Sequence, residues 1–91
     1  MWTESKVQDA IEKNESKKSR THEDVVLVNR MANVLHEVKR FREWREHEQR
    51  HADRGDVVME RQTRYQREEA LGFADEITRQ IIRREEQKAK A

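Results

Sequence analysis

The chain has no cysteine, no proline and only two glycines. Without cysteine there is no disulfide frame, no thiolate-bound zinc and no cysteine nucleophile. Without proline, and with glycine so scarce, the usual punctuation of strands and tight turns is missing. Aromatic residues make up 5% of the chain and apolar residues 33%, so little material is available for a large core. No apolar run reaches the length of a membrane span, and the first residues lack the apolar centre of a signal peptide. Cytoplasmic residence is the expectation. Charge of one sign is also missing: 20 basic against 19 acidic residues give +1. A dedicated nucleic-acid binder usually carries a clear basic excess.

What is present is charge, at 43% of residues, and helical period. A composition rich in Glu, Arg, Lys and Gln fits long helices, but it also fits disorder. Order is favoured by residues 25–44. There Leu27, Met31, Val34, Val38 and Phe41 recur at alternating steps of four and three, which makes one helical stripe. Val28 and Leu35 widen that stripe beyond a narrow coiled-coil seam.

The limits of the helices can be read from their ends. Thr21 with Asp24 forms a capping-box pattern, and Glu23 and Asp24 suit the positive end of a helix dipole. A helix is predicted over about residues 22–53, a rod of roughly 45–50 Å. Its far end, beyond Trp44, is almost wholly polar and relies on pairs such as Glu46 with Arg50. Gly55 suits the left-handed position after a helix, and Asp56 suits an N-cap. A second helix is predicted over about residues 57–87, carrying Met59, Tyr65, Ala70, Phe73, Ala74, Ile77, Ile81 and Ile82. Gly72, inside it, suggests close helix approach or a kink.

Folding back at residues 54–56 opposes residues whose numbers sum to about 110. Val38 then meets Phe73 or Gly72, Val34 meets Ile77, Met31 meets Ile81 or Ile82, Phe41 meets Ala70, and Trp44 falls near Tyr65. The expected fold is therefore all-α: an antiparallel, coiled-coil-like helical hairpin over residues 21–91. The alternative is one unbroken helix in a parallel dimer. Two helices cannot enclose the wide stripe, so Val28 and Leu35 imply a homodimer closing into a four-helix bundle, or a different protein partner. Residues 1–20 read as a short helix or arm with a polar linker. Trp2, Val7 and Ile11 share one side of that helix, which either folds onto the body or docks in a partner's groove.

Few motifs bear chemistry. His47-Glu48-Gln49-Arg50-His51 matches H-E-x-x-H, in which two histidines one turn apart bind zinc and the Glu activates water. The context fails: Arg54 stands where metzincins have Gly, and Val57 where they have the third ligand. No metal or other cofactor is expected, and His47 and His51 are candidates for adventitious metal only. Arg54-Gly55-Asp56 spells an adhesion tripeptide but fits a helix stop and start. His22 and His36 are isolated, the hydroxyls lack a base, and no phosphate loop exists. A nucleic-acid reading would use Arg61, Arg64 and Arg67 with Lys39 and Arg42, but acidic residues are interleaved with them. Trp44, flanked by arginines and glutamates, is the strongest single recognition candidate. The expectation is a non-enzymatic interaction protein that binds another protein as a regulator, inhibitor or assembly factor. Its candidate contacts are Trp44, Tyr65, Val28, Leu35, Trp2 and Ile11.

Overall fold

The structure is a computed structural model that describes residues 1–90. Among them are four α-helices and no strand: α1 (Glu4–Glu15), α2 (His22–Asp53), α3 (Val57–Phe73) and α4 (Glu76–Lys90). The local chemistry explains each boundary. The Thr3 hydroxyl accepts the Lys6 N–H and starts α1. At α2 the capping box is complete. The Thr21 hydroxyl accepts the Asp24 N–H at 3.2 Å, and the Asp24 carboxylate accepts the Thr21 N–H at 3.0 Å. That backbone bond, with Lys17 alongside, holds Asp24 below its ordinary pKa. At the other end Gly55 takes φ 73, a left-handed conformation that favours glycine. The Gly55 N–H donates to Ala52 and the Asp56 N–H to His51, so two orphan carbonyls are satisfied in a Schellman closure. The Asp56 carboxylate then accepts the Met59 N–H at 3.1 Å and starts α3.

The helix α2 is the spine, and α1, α3 and α4 all pack against it. Its 32 residues span about 48 Å, close to the 54 Å long axis of the molecule. Ion pairs report the direction of each neighbour. Glu4 meets Arg42 and Lys17 meets Asp24, so α1 runs against α2. Arg64 and Arg67 meet Glu48, while the Asp75 N–H reaches Glu37, so α3 also runs back along it. Glu85 then meets Arg42 and Glu86 meets Arg45, so α4 runs with α2. The core consists of Val7 and Ile11 from α1, Met31, Val34, Val38 and Phe41 from α2, and Ile77, Ile81 and Ile82 from α4. Each such side chain contributes about 1.5–3 kcal/mol on burial. The apolar residues of α3 are peripheral to this cluster, with only Leu71 packed against it.

The expected single helix over residues 57–87 is not formed. Ala74 adopts extended backbone, φ −74 and ψ 159, and the chain reverses there. Asp75 holds the break from three directions. Its carboxylate accepts the Ile77 N–H at 3.0 Å as an N-cap, its two oxygens take Arg30 at 2.8 and 3.0 Å, and its own N–H donates to Glu37 at 3.1 Å. Gly72 is not a close-approach site, because an added Cβ would meet nothing within 4 Å. The predicted register therefore fails beyond α3. Val34, Met31, Ile77, Ile81 and Ile82 do share the core, but α4 reaches it running the opposite way. Phe73, expected against Val38, is 86% exposed. Ile11, a partner-binding candidate, is buried in the chain's own core, and Trp2, Val28 and Leu35 are half-buried against it. The width of the α2 stripe is largely covered from within, because α1 and α4 supply apolar surface that two helices alone lack.

Candidate functional site

The reversal at Ala74–Asp75 leaves a groove between α2, the end of α3 and the start of α4. Its volume is about 250 Å³. Phe41, Trp44, Ala70, Leu71 and Ala74 give it apolar walls, Phe73 forms an exposed lip, and Glu37, Arg40 and Thr78 add polar groups. Arg40 forms no ion pair among the described residues. Thr78 is 1% exposed, and its hydroxyl has no hydrogen-bond partner among the described residues. Threonine in a helix commonly returns its hydroxyl to the carbonyl four residues back, as Thr63 does to Met59 at 2.7 Å. For Thr78 the residue four back is Ala74, where the helix is broken. A buried unpaired hydroxyl costs about 1–3 kcal/mol, and this one is sealed beneath the groove rather than open to it.

Around the groove the charged side chains are paired across helices. Arg42 bridges Glu4 of α1 and Glu85 of α4, and both hold its guanidinium protonated. Arg67 takes Glu48 at 2.7 Å and Glu86 at 3.3 Å, and Arg64 takes Glu48 at 2.8 Å and Glu60 at 2.9 Å. Burial pushes the Glu48 pKa up, but Arg64 and Arg67 outweigh it and hold the carboxylate below its ordinary range. The guanidinium carbons of Arg45 and Arg67 lie 5.2 and 5.5 Å from the centre of the Phe41 ring, a cation–π contact on each. The apolar core is thus lidded by arginines, each fixed by a carboxylate.

This pairing bears on the other sequence candidates. Of the arginine ridge, Arg64 and Arg67 are neutralised within the chain, as is Arg42, while Arg61 and Lys39 stand exposed. Phosphate contact would require breaking these pairs first. In the H-E-x-x-H stretch Glu48 faces α3 and its two arginines rather than a metal-bound water. His47 packs edge-on to Trp44, with ring centres 6.2 Å apart. Among the described residues no group of three or more His, Asp or Glu is placed to hold a metal ion. Trp44 is half-buried in the groove wall, whereas Tyr65, expected beside it, is 67% exposed.

Phe73 and Thr78 were not legible as site residues, because both lay inside an expected continuous helix. The available signal was Asp75, a good N-cap immediately before an apolar repeat, with Gly72 weakening the turn ahead of it. No described helix is long and apolar enough to cross a membrane. Comparison with protein-family models, with curated proteins and with solved structures finds no match for this chain.

Proposed function

We propose that the chain is a non-enzymatic, cytoplasmic protein-interaction module, a small regulator, inhibitor or assembly factor. In this reading α2 and α3 act as a helical hairpin, the chain pairs with a second copy, and the groove beside Phe73 receives another protein. The observation that carries it is Phe73, 86% exposed at the lip of an apolar groove that contains Trp44. A large aromatic left in water beside a concave apolar surface is the arrangement of an interface anchor. An apolar side chain of the partner fills the groove.

The test is comparative capture. Wild type, Phe73→Ser and Trp44→Ala are immobilised, and host proteins retained by each are quantified by mass spectrometry. Circular dichroism checks that all three keep the same helix content. A protein retained by wild type and reduced about tenfold or more on both variants supports the proposal, as expected for anchor residues. Identical retention on all three overturns it.

A further inference from the structure

The outward face of α3 leaves large hydrophobic side chains, Val58, Tyr65 and Phe73, in water among polar residues. α2 and α4 meet α3 on one side, through Thr63, Arg67 and Leu71. Diametrically opposite, the helical period places Val58, Gln62, Tyr65, Glu69 and Gly72 on one strip, with Phe73 at its margin. Val58 is 72% exposed, Tyr65 and Phe73 more than half, and Gly72 has open space around it. No described residue covers Val58, Tyr65 or Phe73, all of which are exposed.

We infer that the strip is a self-association surface, on which α3 of a second copy packs antiparallel about a two-fold axis at Tyr65. This names the face for the pairing proposed above and rests on that reading. The sequence of α3 is self-complementary about that axis. Positions summing to about 130 are opposed, so Tyr65 meets its own copy and Val58 lies over Gly72. The absent side chain at Gly72 is what admits Val58 beside the second copy's Phe73. Met59, 39% exposed, falls on the edge that carries Phe73 and the groove mouth. Charge agrees with the same register. Arg61 lies opposite Glu69, with Glu68 adjacent, and Gln62 faces Glu69 from the other side. Arg61, Glu68 and Glu69 form no ion pair within the chain among the described residues, in contrast to Arg64 and Arg67 next to them. In a parallel pairing Arg61 would face Arg61 and the phenylalanines would have no glycine opposite.

A single pair of 17-residue helices makes a small interface, so the expected dimer is reversible, with Kd on the order of 10 µM. Sedimentation over a concentration series should show mass rising from 11.1 kDa to twice that value. Arg61→Glu should weaken association about tenfold, and adding Glu69→Arg should restore it. The chain has no cysteine, so one introduced thiol reports geometry without background. Helices about 8–10 Å apart with Cα atoms about 2.3 Å from each axis leave about 3.5–5.5 Å between residues on a two-fold axis, and the wider part of that range is spanned by a disulfide. Tyr65→Cys should therefore cross-link with itself. Val58→Cys should not, but should cross-link when mixed with Gly72→Cys. All these positions are exposed, and an unchanged helical spectrum shows that folding is retained. Wild type that stays at 11.1 kDa throughout overturns pairing altogether. A dimer that ignores Arg61→Glu and leaves Tyr65→Cys uncross-linked overturns this face while leaving pairing intact. Capture of another protein in the Phe73→Ser comparison is read separately from both.

Discussion

The two ends of α2 are held by different physics. Up to Phe41 the helix buries four apolar side chains against five more from α1 and α4. Beyond Trp44 the helix is held mainly through polar contacts: Arg45 with Glu86 of α4, and Glu48 with Arg64 and Arg67 of α3, where Thr63 is buried. Val57, Val58 and Met59 near the tip remain exposed. The first end is stabilised by removal of apolar area from water, which is non-directional and strong. The second depends on charge pairs that are individually worth about 1 kcal/mol or less. One continuous helix thus joins a stable base to a weakly held arm, and local opening should begin at the arm.

The largest expected effect lies in the base. Ile82→Ala removes a fully buried side chain and should cost about 3 kcal/mol by urea denaturation. Val58→Ala on the arm should change stability by no more than about 0.5 kcal/mol. Comparable losses at the two positions would abolish the distinction. Next is Asp75→Ala, which removes the α4 N-cap and the Arg30 pair together and should cost about 2 kcal/mol. The same residue sets a pH dependence. Arg30 holds Asp75 below its ordinary 3.8, so the contribution is present above that value and is lost as pH falls through the lowered one. Wild type should lose stability over that acid range more steeply than Asp75→Ala.

Thr78→Val carries the opposite sign. It replaces a buried unpaired hydroxyl by a methyl of similar shape and should stabilise the free chain by about 1 kcal/mol. A variant less stable than wild type would show that the hydroxyl is satisfied in solution. The smallest global effect is expected for Glu48→Gln, about 0.5 kcal/mol. Its signature is local. Amide exchange should rise in the second half of α2 and the first half of α3, while the base stays protected. Uniform acceleration would show that base and arm open as one unit.

The elements written in short-range chemistry were legible from the sequence. Thr21 with Asp24, Gly55 and Asp56 each act within four residues, and each caps as its side chain dictates. The stripe of Met31, Val34, Val38 and Phe41 was legible because a period of 3.6 survives any choice of partner. The direction of α4 was not. Ile77, Ile81 and Ile82 need burial against α2 whichever way the helix runs, so hydrophobic pattern alone leaves its polarity open. What decides it is Asp75: its cap on Ile77 is local, but its ion pair with Arg30 and its backbone bond to Glu37 reach residues 45 and 38 positions away. The same long-range tie expels Phe73 and creates the groove, so the candidate site was hidden along with the break.

The Arg42 bridge has a consequence for connectivity. By holding Glu4 and Glu85 on one guanidinium, it brings the beginning of the first helix beside the late part of the last. The Trp2 N–H adds a bond to Gln80 at 3.2 Å. The order in which the helices are strung is therefore separable from how they pack. A circular permutant that joins residue 90 to residue 1 through a short flexible linker, and opens the chain at the exposed Gly55, should keep the same core.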